Sequence, residues 1–245
     1  IDYNDKNRHQ RAIYLIKDKI FDRNVDLEKG NFDYLMGCDL DMDHPEVLGE
    51  IKYWSEWYFD TTKIDGLRLD AVKHIDARFF YNWLKDLKKK TKKDLFTVGE
   101  YWSYELDALE YFITATEGKI HLFDAPLHNN FHVASTQGAN YDLRQIFDNT
   151  LVRYQPTLAV TFVENHDSQP LQSLESVVEN WFKPLAYALI LLREGGYPCV
   201  FYGDYYGASY KDRGRDGQEY EIVLQSHRPM LDRLLQARHD CAYGT

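Results

Sequence analysis

Apolar positions recur along the chain in two alternating rhythms, and their order predicts the architecture. From Ile1 to about Asp43 the sequence is polar with little periodicity, which predicts irregular structure with short strands. A helix is expected to start at Pro45 with Asp43 or His44 as its cap, because proline suits the first helical turn. Val47, Ile51, Trp54, Trp57 and Tyr58 would form its apolar face. An alternating strand follows at 64–70, then a helix from Asp76 with Phe79, Phe80, Trp83, Leu84 and Leu87 on one side. The cycle repeats: strand 95–100, helix near 105–113, strand 120–124, helical pieces at 129–134 and 143–150, strand 158–163. A buried helix at 181–193, a strand at 198–202 ending at Gly203-Asp204, and a final helix at about 229–239 complete the pattern.

Strand–helix alternation implies parallel strands covered by helices. Four of the five strands end in a carboxylate on or just past the strand (Asp70, Glu100, Asp124, Asp204), and the remaining one leads to Asp167. Chemistry sits at the carboxyl ends of parallel strands, both in open sheets and in eight-stranded barrels. A whole barrel takes about 250 residues, roughly 31 for each strand–helix unit. Five strands already fill most of this chain, so the expected fold is α/β, the second half of a (β/α)8 TIM barrel. Residues 1–43 would precede it and 44–245 would form it.

The formal net charge of −10 argues against a nucleic-acid phosphate backbone as main partner. The longest apolar run, Leu185 to Leu192, falls far short of the roughly 18 residues of a membrane span. Three widely spaced cysteines (Cys38, Cys199, Cys241) form neither a disulfide framework nor a metal motif, which favours a reducing compartment. A cytoplasmic monomer is the expectation, a secreted protein the alternative. Ile1-Asp2-Tyr3-Asn4 is neither an initiator methionine nor a signal peptide, so the chain is expected to begin inside a longer protein.

Converging carboxylates suit glycoside hydrolysis, in which one attacks the anomeric carbon and another protonates the leaving oxygen. Arg68 lies two residues before Asp70, so both side chains share a strand face and the guanidinium would keep Asp70 ionised. A structural ion pair is the competing reading. Glu100 follows Gly99, which permits close approach, and precedes Tyr101-Trp102, whose apolar wall would raise a carboxyl pKa. An ordinary strand-end glutamate is the alternative there, and a satisfied buried polar cluster is the alternative for Asn165-His166-Asp167. The basic run Lys88–Lys90, Lys92 and Lys93 reads as a solvated helix end. Asp39, Asp41 and Asp43 alternate, with Glu50 following, and hard oxygen donors at this density suit calcium. An EF-hand is excluded, because His44 occupies its required glycine position.

Three segments together resemble the α-amylase family, glycoside hydrolase family 13: Gly66-Leu67-Arg68-Leu69-Asp70-Ala71-Val72-Lys73-His74, Val98-Gly99-Glu100-Tyr101-Trp102 and Val163-Glu164-Asn165-His166-Asp167. The stretches 31–36, 181–187 and 200–204 resemble the bacterial liquefying-type enzymes and their cytoplasmic relatives. The resemblance implies a (β/α)8 barrel of which this chain covers about strands four to eight, after the end of an inserted domain B at 1–43. It implies Asp70 as nucleophile, Glu100 as general acid/base and Asp167 as the third carboxylate. Arg68 would orient Asp70, His166 would bind sugar hydroxyls, and Lys73, His74 and Trp102 would line the leaving-group side. It also implies calcium held by Asp33, Asp39 and the His74 carbonyl, and a second metal at Asp22, Asp41 and Asp43. The family's first signature segment, Asp-x-x-x-x-Asn-His, and strands one to three are absent from this sequence. The chain alone is therefore expected to be an incomplete catalyst.

The expected activity is retaining endo-hydrolysis of α-1,4-glucosidic bonds in starch- or glycogen-type glucans. Within the family, the alternatives are a malto-oligosaccharide-specific hydrolase or a transglycosylase. Outside enzymology, it is a non-catalytic carbohydrate- or calcium-binding piece, with Trp57, Tyr101 and Trp102 stacking on sugar rings.

Overall fold

The computed structural model describes residues 2–5, 10–13 and 40–242. The chain divides into two compact units, 1–57 and 58–245. In the first, β1 (Asp2–Asp5) and β2 (Gln10–Ile13) pair antiparallel, Asp2 opposite Ile13. Helix α1 (Pro45–Thr62) starts at the proline, as expected. Its inward face differs from the expected one: Ser55 and Phe59 are buried, while Trp54 and Trp57 are about half exposed, at 51% and 50%. Ser55 fits because its hydroxyl donates to the Ile51 carbonyl at 2.6 Å, satisfying its polarity within the helix.

The second unit is built on five parallel strands in sequence order, β3 (Gly66–Leu69), β4 (Phe96–Gly99), β5 (His121–Phe123), β6 (Ala159–Phe162) and β7 (Tyr197–Cys199). The connections are α2 (Ala77–Thr91), α3 (Leu106–Ala115), α4 (Ala125–Gln137), the single turn α5 (Leu151–Tyr154) and α6 (Lys183–Leu192). Then come α7 (Tyr202–Tyr206), the antiparallel hairpin β8 (Ala208–Arg213) and β9 (Glu219–Leu224), and α8 (Arg228–Cys241). Helix α2 obeys local rules at both ends. Asp76 caps α2 by accepting from Arg78 N–H, Lys92 closes it in the left-handed conformation, and Phe80, Leu84 and Leu87 form its buried stripe.

The sheet is strongly curved. In a flat sheet β4 and β7, three strands apart, would be separated by about 14 Å. Instead the Phe96 and Tyr197 rings lie 5.4 Å apart, and both meet His121, at 4.5 and 5.3 Å. That closeness is the signature of a barrel arc with side chains filling its concave face. Ile120 and Leu122 share one core cluster with Leu109 and Phe112 of α3 and Leu127 and Phe131 of α4.

Three expectations are corrected. The 129–134 piece is part of the longer α4, begun by Pro126 and capped by Asp124. Asp204 is inside α7, not at a strand end. The β8–β9 hairpin was not foreseen; Tyr210 O–H donates to the Pro170 carbonyl at 2.6 Å, and Gln172 donates to Asp212 at 2.8 Å.

Gly66 has a strict steric role: a Cβ there would sit 2.6 Å from the Phe96 carbonyl oxygen of the neighbouring strand. Gly66→Ala is expected to destabilise the fold by about 1–3 kcal/mol, as other overpacking changes do. Urea unfolding checks this, and an unchanged midpoint would contradict the close approach.

Candidate active site

The site begins at the register of β3 and β4. Arg68 lies opposite Val98 and Leu69 opposite Gly99, and the ladder continues past both strands. Glu100 N–H donates to the Leu69 carbonyl at 2.9 Å, and Val72 N–H donates to the Glu100 carbonyl at 3.0 Å. Asp70 and Glu100 therefore leave adjacent strands side by side. Gly99 makes the close packing beneath them possible, since a Cβ there would meet Val72, Ile120 and Leu122 side chains at 3.1–3.2 Å. Ala71, between Asp70 and Val72, has φ 45° and ψ 40°, a left-handed conformation an alanine adopts at a cost. It aims the Ala71 N–H at Glu100 Oε2, 3.5 Å away.

Arg68 joins the two carboxylates. One guanidinium nitrogen donates to Asp70 Oδ1, and the other stands 3.0 Å from Glu100 Oε2. The environments of the acids differ: the Asp70 side chain is 72% exposed and that of Glu100 8%. Partial burial works to raise Asp70, but the Arg68 hydrogen bond and charge outweigh it, so Asp70 lies below the ordinary carboxylate range. Burial pushes Glu100 up, and Asp70 adds to this, while Arg68 and the Ala71 N–H oppose it. Glu100 Oε1 is buried without a hydrogen-bond partner. The surroundings favour the charged form of Asp70 and shift Glu100 toward its protonated form, the direction of difference that acid–base catalysis uses.

The 165–168 turn follows the end of β6. Asn165 Oδ1 accepts from the N–H groups of Asp167 and Ser168, at 2.9 and 2.8 Å. His166 Nε2 is 3.4 Å from Asp167 Oδ2. Lys73 Nζ donates to the Trp102 carbonyl at 3.0 Å. The Trp102 ring packs beside His128 and Phe162, at 5.5 and 6.0 Å. Tyr101 packs against Phe112 at 5.4 Å, in the core. His74 ends the short 3₁₀ turn Val72–His74 that follows Asp70.

Two carboxylates expected at strand ends have structural partners instead. Asp124 is fully buried and accepts from the N–H groups of Leu127, Leu151 and Val152, at 3.1, 3.1 and 2.7 Å. Asp204, also fully buried, accepts from Lys183 Nζ at 2.5 Å and from the Tyr187 hydroxyl at 2.6 Å. Lys183 also stands 3.8 Å from Glu164 Oε1, so one cation lies between two buried acids. Sequence reasoning missed this network as a unit. Its signal was a lysine opening an otherwise apolar helix.

Of the proposed metal ligands, Asp22, Asp33 and Asp39 lie outside the described residues. Asp41 and Asp43 are exposed, and Asp41 Oδ1 accepts from Asp43 N–H at 2.9 Å. No group of three or more His, Cys, Asp or Glu among the described residues is arranged to hold a metal ion.

The chain matches the family model described as alpha amylase, catalytic domain, over residues 31–233. It is 55% identical over 243 residues to an alpha-amylase of Geobacillus stearothermophilus, covering 98% of this chain and 42% of the relative. It is also 55% identical to the cytoplasmic alpha-amylase of Escherichia coli, covering 90% and 44%. A glucan 1,4-alpha-maltohexaosidase of a Bacillus species is 46% identical, covering 100% and 45%. The chain thus spans less than half the length of these relatives. Among solved structures, an Anoxybacillus alpha-amylase superposes with a TM-score of 0.64 at 20% identity, covering 90% of this chain and 50% of that one. A match over most of the chain, the parallel arc and the strand-end carboxylates agree: this chain belongs to the alpha-amylase catalytic-domain family, and its second unit is part of a (β/α)8 barrel.

Proposed function

We propose that the intact protein is a retaining endo-hydrolase of α-1,4-glucans, with Asp70 as nucleophile and Glu100 as general acid/base. The observation that carries this reading is the Arg68 bridge, which sets a charged Asp70 beside a buried Glu100 that favours its proton. In the first step Glu100 gives its proton to the glycosidic oxygen while Asp70 attacks the anomeric carbon, forming an ester as the leaving chain departs. In the second, Glu100 takes a proton from water, which opens the ester and restores both groups. Asp167 and His166 hold sugar hydroxyls beside the bond being cut. Lys73, His74 and Trp102 line the leaving-group side. Two inversions give net retention, so proton NMR of freshly released sugar should show the α-anomer, and Asp70→Asn should abolish release.

The ionisation pattern fixes the pH profile. Asp70 must be charged, and its lowered pKa places the acid limb below the ordinary aspartate range. Glu100 must be protonated, and its raised pKa places the alkaline limb above the ordinary glutamate range. Glu100→Gln should remove the alkaline limb of the glycosylation step on an activated glycoside; a limb that persists would assign it to another group.

Members of the family typically bind calcium. We propose a structural calcium here too, with Asp33, Asp39 and the His74 carbonyl as one donor set and Asp22, Asp41 and Asp43 as another. Every donor is a hard oxygen, the ligand type this ion takes. Its role is stability. Chelation should lower the thermal midpoint of the intact protein, since a ligand bound only by the folded state stabilises it; an unchanged midpoint would remove the assignment. We place the protein in the cytoplasm, with the name of the E. coli relative and the cysteine usage as support. No helix among the described residues is long and apolar enough to cross a membrane.

A further inference from the structure

The Asp167 carboxylate is loosely held by its own contacts. Ser173 Oγ lies 3.3 Å from Oδ1 and His166 Nε2 lies 3.4 Å from Oδ2, both at the long end of useful distances. Its placement therefore depends on the backbone that carries it. That backbone is held by Asn165 Oδ1, by the Leu174 N–H, which donates to the Asp167 carbonyl at 3.0 Å, and by Ser168 beneath it. Ser168 is fully buried, and its Oγ donates to Glu164 Oε2 at 2.7 Å while accepting from the Asn165 N–H at 2.9 Å. Its carbonyl accepts from the Ser176 N–H at 2.9 Å, and Ser176 Oγ is in turn 2.8 Å from His128 Nε2.

Glu164 is itself immobilised. It is 3% exposed, Oε1 accepts from the Val178 N–H, and Lys183 stands 3.8 Å away with Asp204 on its far side. The result is a continuous set of polar contacts from two buried acids and a lysine to the turn that carries Asp167. None of these buried groups takes part in bond making or breaking.

We infer that Ser168, held by Glu164, is a positioning residue that sets Asp167 against the sugar by locking the 165–168 turn. This rests on the function proposed above. Without the Ser168 hydroxyl, the Asn165 N–H and Glu164 Oε2 lose their shared partner, and the turn is free to shift. A displacement of about 1 Å in a catalytic group costs on the order of 10²-fold in rate.

A double-mutant cycle on the intact enzyme tests the inference, with kcat and KM for starch measured for wild type, Ser168→Ala, Asp167→Asn and the double variant. Ser168→Ala should lower kcat/KM by about 10–100-fold, chiefly through kcat, when Asp167 is present. In the Asp167→Asn background the same change should cost less than about 3-fold, because the residue it positions is no longer a carboxylate. An equal factor in both backgrounds means general loosening and overturns the inference, as does a loss under about 3-fold with Asp167 intact. Circular dichroism confirms folding at the assay temperature. If Ser168→Ala does not fold, Glu164→Gln, which keeps the volume but replaces an acceptor by a donor, goes through the same cycle with the same criteria. The wild-type and Asp70→Asn controls separate the two levels. Starch left uncut by wild type, or cut by Asp70→Asn, overturns the proposed function. Normal controls with an additive cycle overturn only the role of Ser168.

Discussion

Glu100→Gln is expected to slow the glycosylation step on starch by about 10²–10⁴-fold while slowing it far less on a glycoside with an acidic leaving group such as fluoride or nitrophenolate. The glutamine keeps the size of the side chain but has no proton to give, and starch departs as an alkoxide that needs one. Fluoride leaves without that help. Asp70→Asn should behave differently, losing both substrates by similar factors, because the missing covalent bond matters whatever departs. The contrast is read in pre-steady-state leaving-group release, since steady-state turnover includes deglycosylation, where Glu100 acts as base. Equal substrate profiles for the two variants, or selective rescue of Asp70→Asn, would reverse or remove the assignment.

The second large effect is on stability. Lys183→Met should cost about 3–5 kcal/mol, because it leaves Asp204 and Glu164 buried without the cation between them. The penalty should depend on pH in a direction the structure sets. Burial pushes Glu164 up to about 7, against the opposing Lys183 charge and the bonds from Ser168 and Val178. A carboxyl whose folded pKa is raised favours the folded state below its unfolded value and loses that contribution as pH rises through the folded value. Removing Lys183 raises the folded value further. The deficit of Lys183→Met relative to wild type should thus be larger at pH 8 than at pH 5, where Glu164 can accept a proton. Urea unfolding at both pH values measures it. A deficit below about 1 kcal/mol, or one that grows toward pH 5, would show that these charges are not the buried pair described.

The sequence was most legible where one rhythm governed a whole element. The α2 stripe of Phe80, Leu84 and Leu87 and the strand at Arg68–Asp70 lie where periodicity puts them. It was least legible where side-chain hydrogen bonds set the structure. Asp70, Glu100, Asp124 and Asp204 look alike as acids near strand ends, yet the first two are joined by Arg68 and the others are fully buried structural acceptors. The difference lies in partners brought from about 20 to 30 residues away, such as Val152 and Lys183, which no local pattern reveals. The β8–β9 hairpin escaped for the opposite reason. Its strands are largely exposed, five of their twelve positions are charged, and the alternation of apolar and polar residues that marks a half-buried strand is missing. Trp54 and Trp57 show a third limit, because helical spacing alone does not decide which of two adjacent stripes faces inward.

Identification of the covalent intermediate tests the central claim most directly. In intact Glu100→Gln enzyme treated with an activated α-glucosyl fluoride, glycosylation proceeds with little acid help while deglycosylation lacks its base, so the ester should accumulate. Mass spectrometry of the digested protein should then find the sugar on the peptide containing Asp70, at Asp70 itself. A sugar on any other residue, or an unmodified protein that nonetheless releases fluoride in a burst, would contradict the account.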